Sequence, residues 1–213
     1  MKVRKFRAHE LDEHVLRKTT ELIYSTGEDQ FDFVFDGKSE ATTVIKDLFL
    51  NDRGLFSHEE ALWGIEDGTV AGILVGHHGH EEMRHTLSTI VDVCKLFWRK
   101  PRYIFRFLWR FIQLQKISKR TPRDSYYIAH FALLPEFHGR RLGAAFMEQV
   151  LPILNAERGV RRCCLDVATD NTRAIKLYER LGFKIQRTLR HEKFQERYPK
   201  LKSRYRMFLS FKK

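Results

Sequence analysis

The chain has 213 residues, of which 43% are hydrophobic and 31% are charged, and its formal net charge is +12. This composition excludes a disordered or fibrous protein, and no apolar run approaches the roughly 20 residues of a membrane-spanning helix. Its three cysteines, Cys94, Cys163 and Cys164, suit neither a disulfide framework nor a zinc site. We therefore expect a soluble cytoplasmic protein with a single domain over residues 1–213 and no bound metal.

The positive charge is confined to two segments. Residues 84–120 contain ten Lys and Arg residues and one acid, and residues 184–213 contain eleven Lys and Arg residues and two acids. The rest of the chain has 18 basic and 24 acidic residues, so its net charge is −6. Two local patches on an acidic body differ from a uniformly basic nucleic-acid-binding protein, and we do not expect a nucleic-acid partner.

Hydrophobic spacing and turn residues predict alternating strands and helices. The predicted elements are a strand at 3–7, a helix at 9–25, a helix from an N-cap at Ser39 to about Gly54, strands at 61–65 and 70–75 around an Asp67-Gly68 turn, a strand at 126–134, a helix containing Leu142, Phe146, Val150 and Ile153, a strand at 162–167, a helix at 171–181, and strands at 183–189 and 205–211. This order predicts a mixed α/β fold with helices on both faces of one sheet.

A glycine- and arginine-rich turn joins the strand at 126–134 to the next helix. Its sequence is Pro-Glu-Phe-His-Gly-Arg-Arg-Leu-Gly-Ala over residues 135–144. Glycines allow a ligand to approach the backbone, and a helix N-terminus attracts anions. The turn therefore predicts a pyrophosphate site, although such turns are also ordinary connections.

A second motif lies at the helix predicted over residues 171–181. Asn171 and Tyr178 are seven residues apart and share one helix face, on which the small Ala174 lies between them. Gly182 suits the helix C-cap. A packed tyrosine with its hydroxyl at the surface would also fit this spacing.

Together the two motifs resemble the GNAT superfamily of acyl-CoA-dependent N-acetyltransferases. The resemblance is strong over residues 125–189 and implies a mostly antiparallel central sheet. One departure is Arg141, which stands where the family motif has its first glycine, and His138 replaces the motif's first residue. The resemblance implies acetyl-CoA as co-substrate and says little about the acceptor.

The resemblance also assigns roles to individual residues. The backbone of Phe131, Ala132 and Leu133 would bind the pantetheine arm, Asn171 would lie against it, and Tyr178 would protonate the departing thiolate. The pyrophosphate would lie at the turn formed by His138, Gly139, Arg140, Arg141, Leu142, Gly143 and Ala144.

The acceptor amine must be neutral before it attacks the thioester, so we consider two candidate bases. Asp166 stands where related ribosomal-protein N-terminal acetyltransferases place a carboxylate, and His130 lies on the strand that would bind the cofactor. Alternatively, Asp166 is a structural carboxylate paired with the backbone or Arg162, and His130 a core imidazole. Attack by the unprotonated fraction of the amine would need neither residue.

About 48 residues, 77–124, form an insertion between two strands of the predicted fold. Their spacing predicts a helical hairpin, and Arg102, Arg106 and Arg110 form a basic stripe on its second helix. Three interpretations remain open: packing on the sheet or on a second subunit of a homodimer with the arginines solvated, a cap over the acceptor pocket, or contact with an anionic membrane surface.

Two further polar segments bear on function. His77, His78, His80 and His85 lie near Glu81 and Glu82, but their spacing matches no defined metal site. The basic loop at 190–206 would border the acceptor site, which makes Glu192, Glu196, Tyr198 and Tyr205 candidate lining residues.

The acceptor would be a primary amine on a small molecule, a peptide N-terminus or a lysine. The competing hypothesis is a non-catalytic module of the same fold that binds CoA or nucleic acid.

Overall fold

The computed structural model of the protein describes residues 1–211. Within this range, strands and helices alternate around one sheet, together with short 3-10 turns. In chain order the elements are β1 (Lys2–Arg4), α1 (Glu13–Ser25), α2 (Glu28–Phe35), α3 (Lys38–Phe49), β2 (Ala61–Glu66), β3 (Thr69–His78), α4 (Glu82–Leu96), α5 (Pro101–Leu114), β4 (Ser125–Leu133), α6 (Leu142–Ala156), β5 (Arg162–Ala168), α7 (Thr172–Arg180), β6 (Lys184–Leu189), α8 (Glu192–Arg197) and β7 (Arg204–Ser210). No helix in the described part of the chain is long and apolar enough to cross a bilayer.

The sheet has the strand order β1-β2-β3-β4-β5-β7-β6. Every pair is antiparallel except β4 with β5, so the predicted mixed, mostly antiparallel α/β fold is confirmed. The predicted Asp67-Gly68 turn joins β2 to β3, and both residues have positive φ angles, 49° and 77°. Two positive φ angles are the requirement of a type I′ hairpin turn, which matches the strand twist.

The two parallel strands separate partway along their length. β4 pairs with β5 only from Ser125 opposite Arg162 to Ile128 opposite Leu165. On its other edge, β4 pairs Ile128 with Gly76 and His130 with Val75, so Ala129 is an extra, bulged residue. A bulge bends its strand. Beyond Ile128 and Leu165 the two strands are no longer hydrogen-bonded to each other, and the gap between their ends is here called the wedge.

Apolar side chains cover both faces of the sheet. One cluster packs α1, α2 and α3 on one face around Ile45, Phe49 and Trp63. The other packs α6 and α7 on the opposite face around Phe146 and Met147. The wedge therefore lies in a rigid sheet supported from both sides.

The insertion forms the predicted helical hairpin, α4 and α5, although β3 extends through His78 before it begins. Phe107 is buried and stacks on Phe35 of α2, with ring centroids 5.7 Å apart. Arg106 and Arg110 both bind the Asp36 carboxylate. Two arginines of the stripe are therefore paired with a carboxylate, because α5 packs beside the C-terminus of α2, whereas Arg102 is exposed.

Several local features differ from the sequence-based predictions. Neither α2 nor α8 was predicted, and α3 begins after Gly37, so Ser39 lies in its first turn instead of capping it. The first helix begins at Glu13, where the Asp12 side chain accepts a hydrogen bond from Val15 N–H at 2.7 Å. The first strand is correspondingly short and ends at Arg4.

Candidate active site

A cleft of about 600 Å³ opens beside the end of β4. Almost all of the predicted cofactor-binding residues line it, namely Phe131, Ala132, Leu133, His138, Gly139, Arg141, Leu142, Gly143, Ala144, Asn171 and Tyr178. Arg140 is not among the lining residues; its guanidinium lies 5.9 Å from the centroid of the Phe137 ring. The structure therefore brings together, at one site, residues from the two sequence motifs.

The turn before α6 presents unpaired backbone donors. Within the described chain, the N–H groups of residues 139–143 have no hydrogen-bond acceptor, whereas those of Ala144 and Ala145 bind the Arg141 carbonyl. Gly139 and Arg141 have φ angles of 81° and 60°. Arg141 thus adopts the left-handed conformation that favours glycine. The turn keeps its shape despite the arginine, and its free donors at the positive end of α6 suit a phosphate group.

His138 closes this turn against the end of β4. Its Nε2 atom lies 2.9 Å from the Leu133 carbonyl oxygen. Because that oxygen only accepts, His138 Nε2–H is the donor. The predicted contact of His138 with the cofactor would therefore compete with this internal hydrogen bond.

The α7 helix contributes Asn171 and Tyr178. Asn171 Oδ1 accepts a hydrogen bond from Ala174 N–H at 3.0 Å, so this side chain caps α7, and Asn171 lines the cleft. Tyr178 is 7% exposed and lies between the rings of Phe131 and Phe183. Its hydroxyl has no hydrogen-bond partner among residues 1–211. Burial raises the pKa of Tyr178, which keeps the phenol protonated at neutral pH.

A smaller cleft of about 160 Å³ lies in the wedge between β4 and β5. Tyr178 lines both clefts and therefore joins them. The smaller cleft is also lined by Ser25 and Thr26 from the end of α1 and by Arg204 from the start of β7. The sequence analysis missed these three residues, because only the folded sheet brings α1 and β7 to the wedge.

Asp166 lines the smaller cleft but is held by an arginine. Its two oxygens accept hydrogen bonds from Arg206 Nε and Nη2, both at 2.6 Å, and each side chain is 3% exposed. Tyr127 donates a further hydrogen bond to Asp166 at 3.2 Å. Arg162, the partner considered from the sequence, binds Asp124 instead. The Asp166 carboxylate is therefore buried and forms a bidentate ion pair with Arg206.

His130 lies on β4 among the aromatic rings of the cluster that packs α1, α2 and α3 on the sheet. Its ring stacks on Phe56 with centroids 5.3 Å apart, and its Nδ1 lies 2.7 Å from Thr26 Oγ1. The Thr26 hydroxyl donates its single proton to the Ile23 carbonyl, so His130 Nδ1–H must donate to Thr26. Burial lowers the pKa of His130 to about 3. The imidazole is consequently neutral at pH 7.

A groove lined by side chains of both charges continues outward from the wedge. Lys200, Lys202 and Arg204 line it on one side, and Glu28 and Asp29 line it on the other. The residues that the sequence analysis proposed for this border, Glu192, Glu196, Tyr198 and Tyr205, line none of the clefts described here. Residues 77–124 line none of them either, so these clefts do not support the cap interpretation of the insertion.

One group of potential metal ligands lies within the histidine segment. The side chains of Glu60, Glu81 and His85 have ligand atoms within 4.8 Å of one another. However, His85 Nδ1 accepts a hydrogen bond from Gly54 N–H, so the neutral ring carries its proton on Nε2, the nitrogen facing Glu81. A metal-ligating imidazole requires the reverse arrangement, and these residues do not fit a metal site.

The strand order, the wedge and the donor-rich turn together define the acetyltransferase class of α/β proteins. A model of the Acetyltransferase (GNAT) family matches residues 26–183, and the chain belongs to that family. A comparison with curated proteins finds no match.

Solved structures share this fold at low sequence identity. An N-acetyltransferase from Staphylococcus aureus Mu50 has a TM-score of 0.70 and 15% identity, and the alignment covers 98% of this chain and 100% of that one. The ribosomal-protein-S18-alanine N-acetyltransferase from Escherichia coli has a TM-score of 0.53 and 15% identity, with 100% and 94% covered. The NatC complex bound to Gag peptide and CoA has a TM-score of 0.56 and 12% identity, with 99% and 98% covered.

Proposed function

We propose that this protein transfers the acetyl group of acetyl-CoA to a primary amine. The observation that carries the proposal is the arrangement of two clefts: one has free backbone donors for a pyrophosphate, the other has room for an acceptor, and Tyr178 lines both. Acetyl-CoA supplies an activated thioester carbonyl. The chain's own residues would bind acetyl-CoA, orient it and donate a proton to the departing thiolate.

The larger cleft would bind the co-substrate. The N–H groups of residues 139–143 and the N-terminus of α6 would hold the pyrophosphate. Because β4 has no partner strand on its β5 side beyond Ile128, the backbone of residues 131–133 is available to the pantetheine arm. Asn171 has an uncommitted amide group beside this path.

Tyr178 would serve as the general acid. Attack of the amine gives a tetrahedral intermediate, whose collapse breaks the carbon–sulfur bond and leaves a thiolate. The protonated Tyr178 hydroxyl, free of other partners in the described chain, would donate its proton to that sulfur. Its position between the two clefts supports this role.

Neither candidate base is arranged for proton abstraction. Both Asp166 oxygens accept hydrogen bonds from Arg206, and the His130 pKa of about 3 makes its neutral form a weak base. We therefore assign Asp166 a structural role and propose that the amine reacts from its unprotonated fraction. This was the third possibility left open by the sequence.

The acceptor would enter through the groove that leads to the smaller cleft. Arg204 lines both spaces and has no carboxylate within ion-pair distance in the described residues. The other charges of the smaller cleft, on Asp166, are neutralised by Arg206. An unpaired cation there favours an acceptor whose amine lies near a carboxylate or phosphate group.

An acceptor screen with detection of released CoA thiol tests the proposed function. Amines that carry a neighbouring anionic group should release thiol faster than matched amines without one, and Arg204→Gln should reduce that preference at least about tenfold. Acetyl-CoA should also raise the melting temperature. Stabilisation by acetyl-CoA without thiol release from any amine would favour the non-catalytic module.

A further inference from the structure

The inserted hairpin exposes an unusual amount of apolar surface. Its large outward-facing side chains, here called the hairpin face, are Met83, Leu87, Val91, Leu96, Trp98, Phe105, Trp109 and Ile112. They are between 38% and 74% exposed, with Phe105 at the upper limit. Exposed apolar residues are normally scattered, and a concentration of them on one element marks a contact surface.

The two sides of α5 have different surroundings. Phe107 is buried and Phe111 packs with it, and both secure α5 to the rest of the protein. Phe105, Trp109 and Ile112 fall on the outward side of the same helix. The packing of the hairpin is therefore complete without this outward side, and folding of the chain alone does not require its apolar character.

Cations flank the hairpin face where α4 turns into α5. Arg99, Lys100 and Arg102 are exposed and have no carboxylate within ion-pair distance in residues 1–211. The Arg99 guanidinium lies 4.8 Å from the Trp98 ring centroid. This differs from Arg106 and Arg110, which Asp36 neutralises. The free positive charge thus lies beside the most exposed aromatic residues.

We propose that the hairpin face binds the surface of an anionic phospholipid bilayer. Aromatic and aliphatic side chains enter the headgroup and acyl boundary, while adjacent Lys and Arg side chains meet lipid phosphates. The hairpin carries both the exposed apolar side chains and the adjacent Lys and Arg side chains. The clefts of the proposed active site are lined by other segments, so membrane contact would leave them open.

Charge argues against a second copy of this chain as the occupant. A symmetric dimer places the same surface on both sides of its interface, so the unpaired cations beside this face, Arg99, Lys100 and Arg102, would be brought towards their own copies. Two such surfaces would repel each other. An anionic bilayer complements both the cations and the apolar side chains.

Sedimentation of the full chain with lipid vesicles tests the proposal. Vesicles of phosphatidylcholine mixed with phosphatidylglycerol should bind the protein, pure phosphatidylcholine vesicles should bind it far less, and added salt should weaken binding. Trp98→Ser with Phe105→Ser, and separately Arg99→Gln with Lys100→Gln and Arg102→Gln, should each weaken binding at least about tenfold.

Matched controls distinguish vesicle binding by the hairpin face from nonspecific binding by other exposed apolar or basic residues. Ile153→Ser with Ile185→Ser removes apolar residues that are 43% and 42% exposed elsewhere. Lys184→Gln with Arg187→Gln and Lys193→Gln removes three exposed charges from the second basic segment. Both controls should bind vesicles as the unmodified chain does, and all variants should retain its melting temperature.

The proposal is overturned if the chain shows no preference for anionic vesicles or if hairpin and control variants bind equally. It is also overturned if Trp98→Ser with Phe105→Ser splits a dimer in sedimentation velocity while vesicles bind nothing. These outcomes do not depend on acetyl transfer, because vesicle binding requires neither acetyl-CoA nor an acceptor.

Discussion

Arg206 holds Asp166 through two hydrogen bonds of 2.6 Å inside the sheet, directly beside the wedge between β4 and β5. Both side chains are almost completely buried. A buried ion pair contributes little net stability, but loss of one partner leaves an uncompensated buried charge. The pair therefore fixes the relative position of β5 and β7 beside the smaller cleft.

This relationship gives a test of the structural role of Asp166. Asp166→Leu should reduce the free energy of unfolding by about 3–5 kcal/mol, whereas Asp166→Leu combined with Arg206→Met should recover most of that loss. Urea denaturation measures both. The double variant should keep acetyl-transfer turnover within about tenfold of the unmodified chain, whereas a loss of about a hundredfold or more would make Asp166 the general base.

Tyr178 should affect turnover much more than binding. Tyr178→Phe removes a hydroxyl that has no partner among the described residues, so the ring packing and the melting temperature should be retained. Loss of a general acid should lower kcat by about a hundredfold or more, while the acetyl-CoA Kd changes by less than about threefold. Steady-state kinetics and calorimetry together measure the effect, and an unchanged kcat would exclude the hydroxyl as the acid.

Arg141 should be replaceable by glycine with a gain in stability. Its φ angle of 60° is unfavourable for a side chain with a Cβ atom. Arg141→Gly should therefore raise the free energy of unfolding by roughly 0.5–1 kcal/mol. The matched control is Arg140→Gly, since Arg140 has an ordinary φ angle and its replacement should lower stability. Equal losses in both variants would show that the turn is not strained.

His77 should make stability dependent on pH. It is 3% exposed, neither ring nitrogen has a partner in the described part of the chain, and burial lowers its pKa to about 3. Below an unfolded-state pKa of about 6.5, the unfolded chain binds a proton that the folded chain does not. As far as it depends on His77, the free energy of unfolding is therefore highest above about pH 6.5 and falls as the pH decreases towards 3.

Replacement of His77 should reduce this dependence. His77→Leu should be at least as stable as the unmodified chain at pH 7, because an apolar side chain replaces an unsatisfied polar one. Its stability should decline less on acidification, by up to about 1.4 kcal/mol per pH unit between pH 6 and pH 4. Urea denaturation at several pH values measures the slope. The exposed His14→Leu is the control, and identical slopes in both variants would contradict the prediction.

Much of the fold and one half of the site follow from the sequence. Each of the two motifs between residues 135 and 183 is a continuous stretch of sequence, and their joint resemblance to the GNAT superfamily implied that Gly143, Asn171 and Tyr178 would lie at one cleft, where the structure has them. α2 was missed because its eight residues are mostly acidic and aromatic, without a capping side chain.

The lining of the smaller cleft could not be predicted in this way. Thr26 and Arg204 are 178 positions apart and meet only after β7 inserts between β5 and β6. The pairing of Asp166 with Arg206 depends on the same step, because these residues are opposite each other in the β5–β7 register. Non-local strand pairing leaves no local pattern in a single sequence, so Arg162, nearer in the chain, was considered instead.

Calorimetric titration of acetyl-CoA tests most directly our proposal that the turn before α6 binds the pyrophosphate. Ala144 lines the cleft in the first turn of α6, where a glutamate favours the helix but would repel a phosphate and occupy the free N–H groups. The unmodified chain should bind acetyl-CoA saturably, and Ala144→Glu should bind at least about tenfold more weakly than the equally large Ala144→Gln. Equal binding by the two variants, or no saturable binding by the unmodified chain, would contradict the claim.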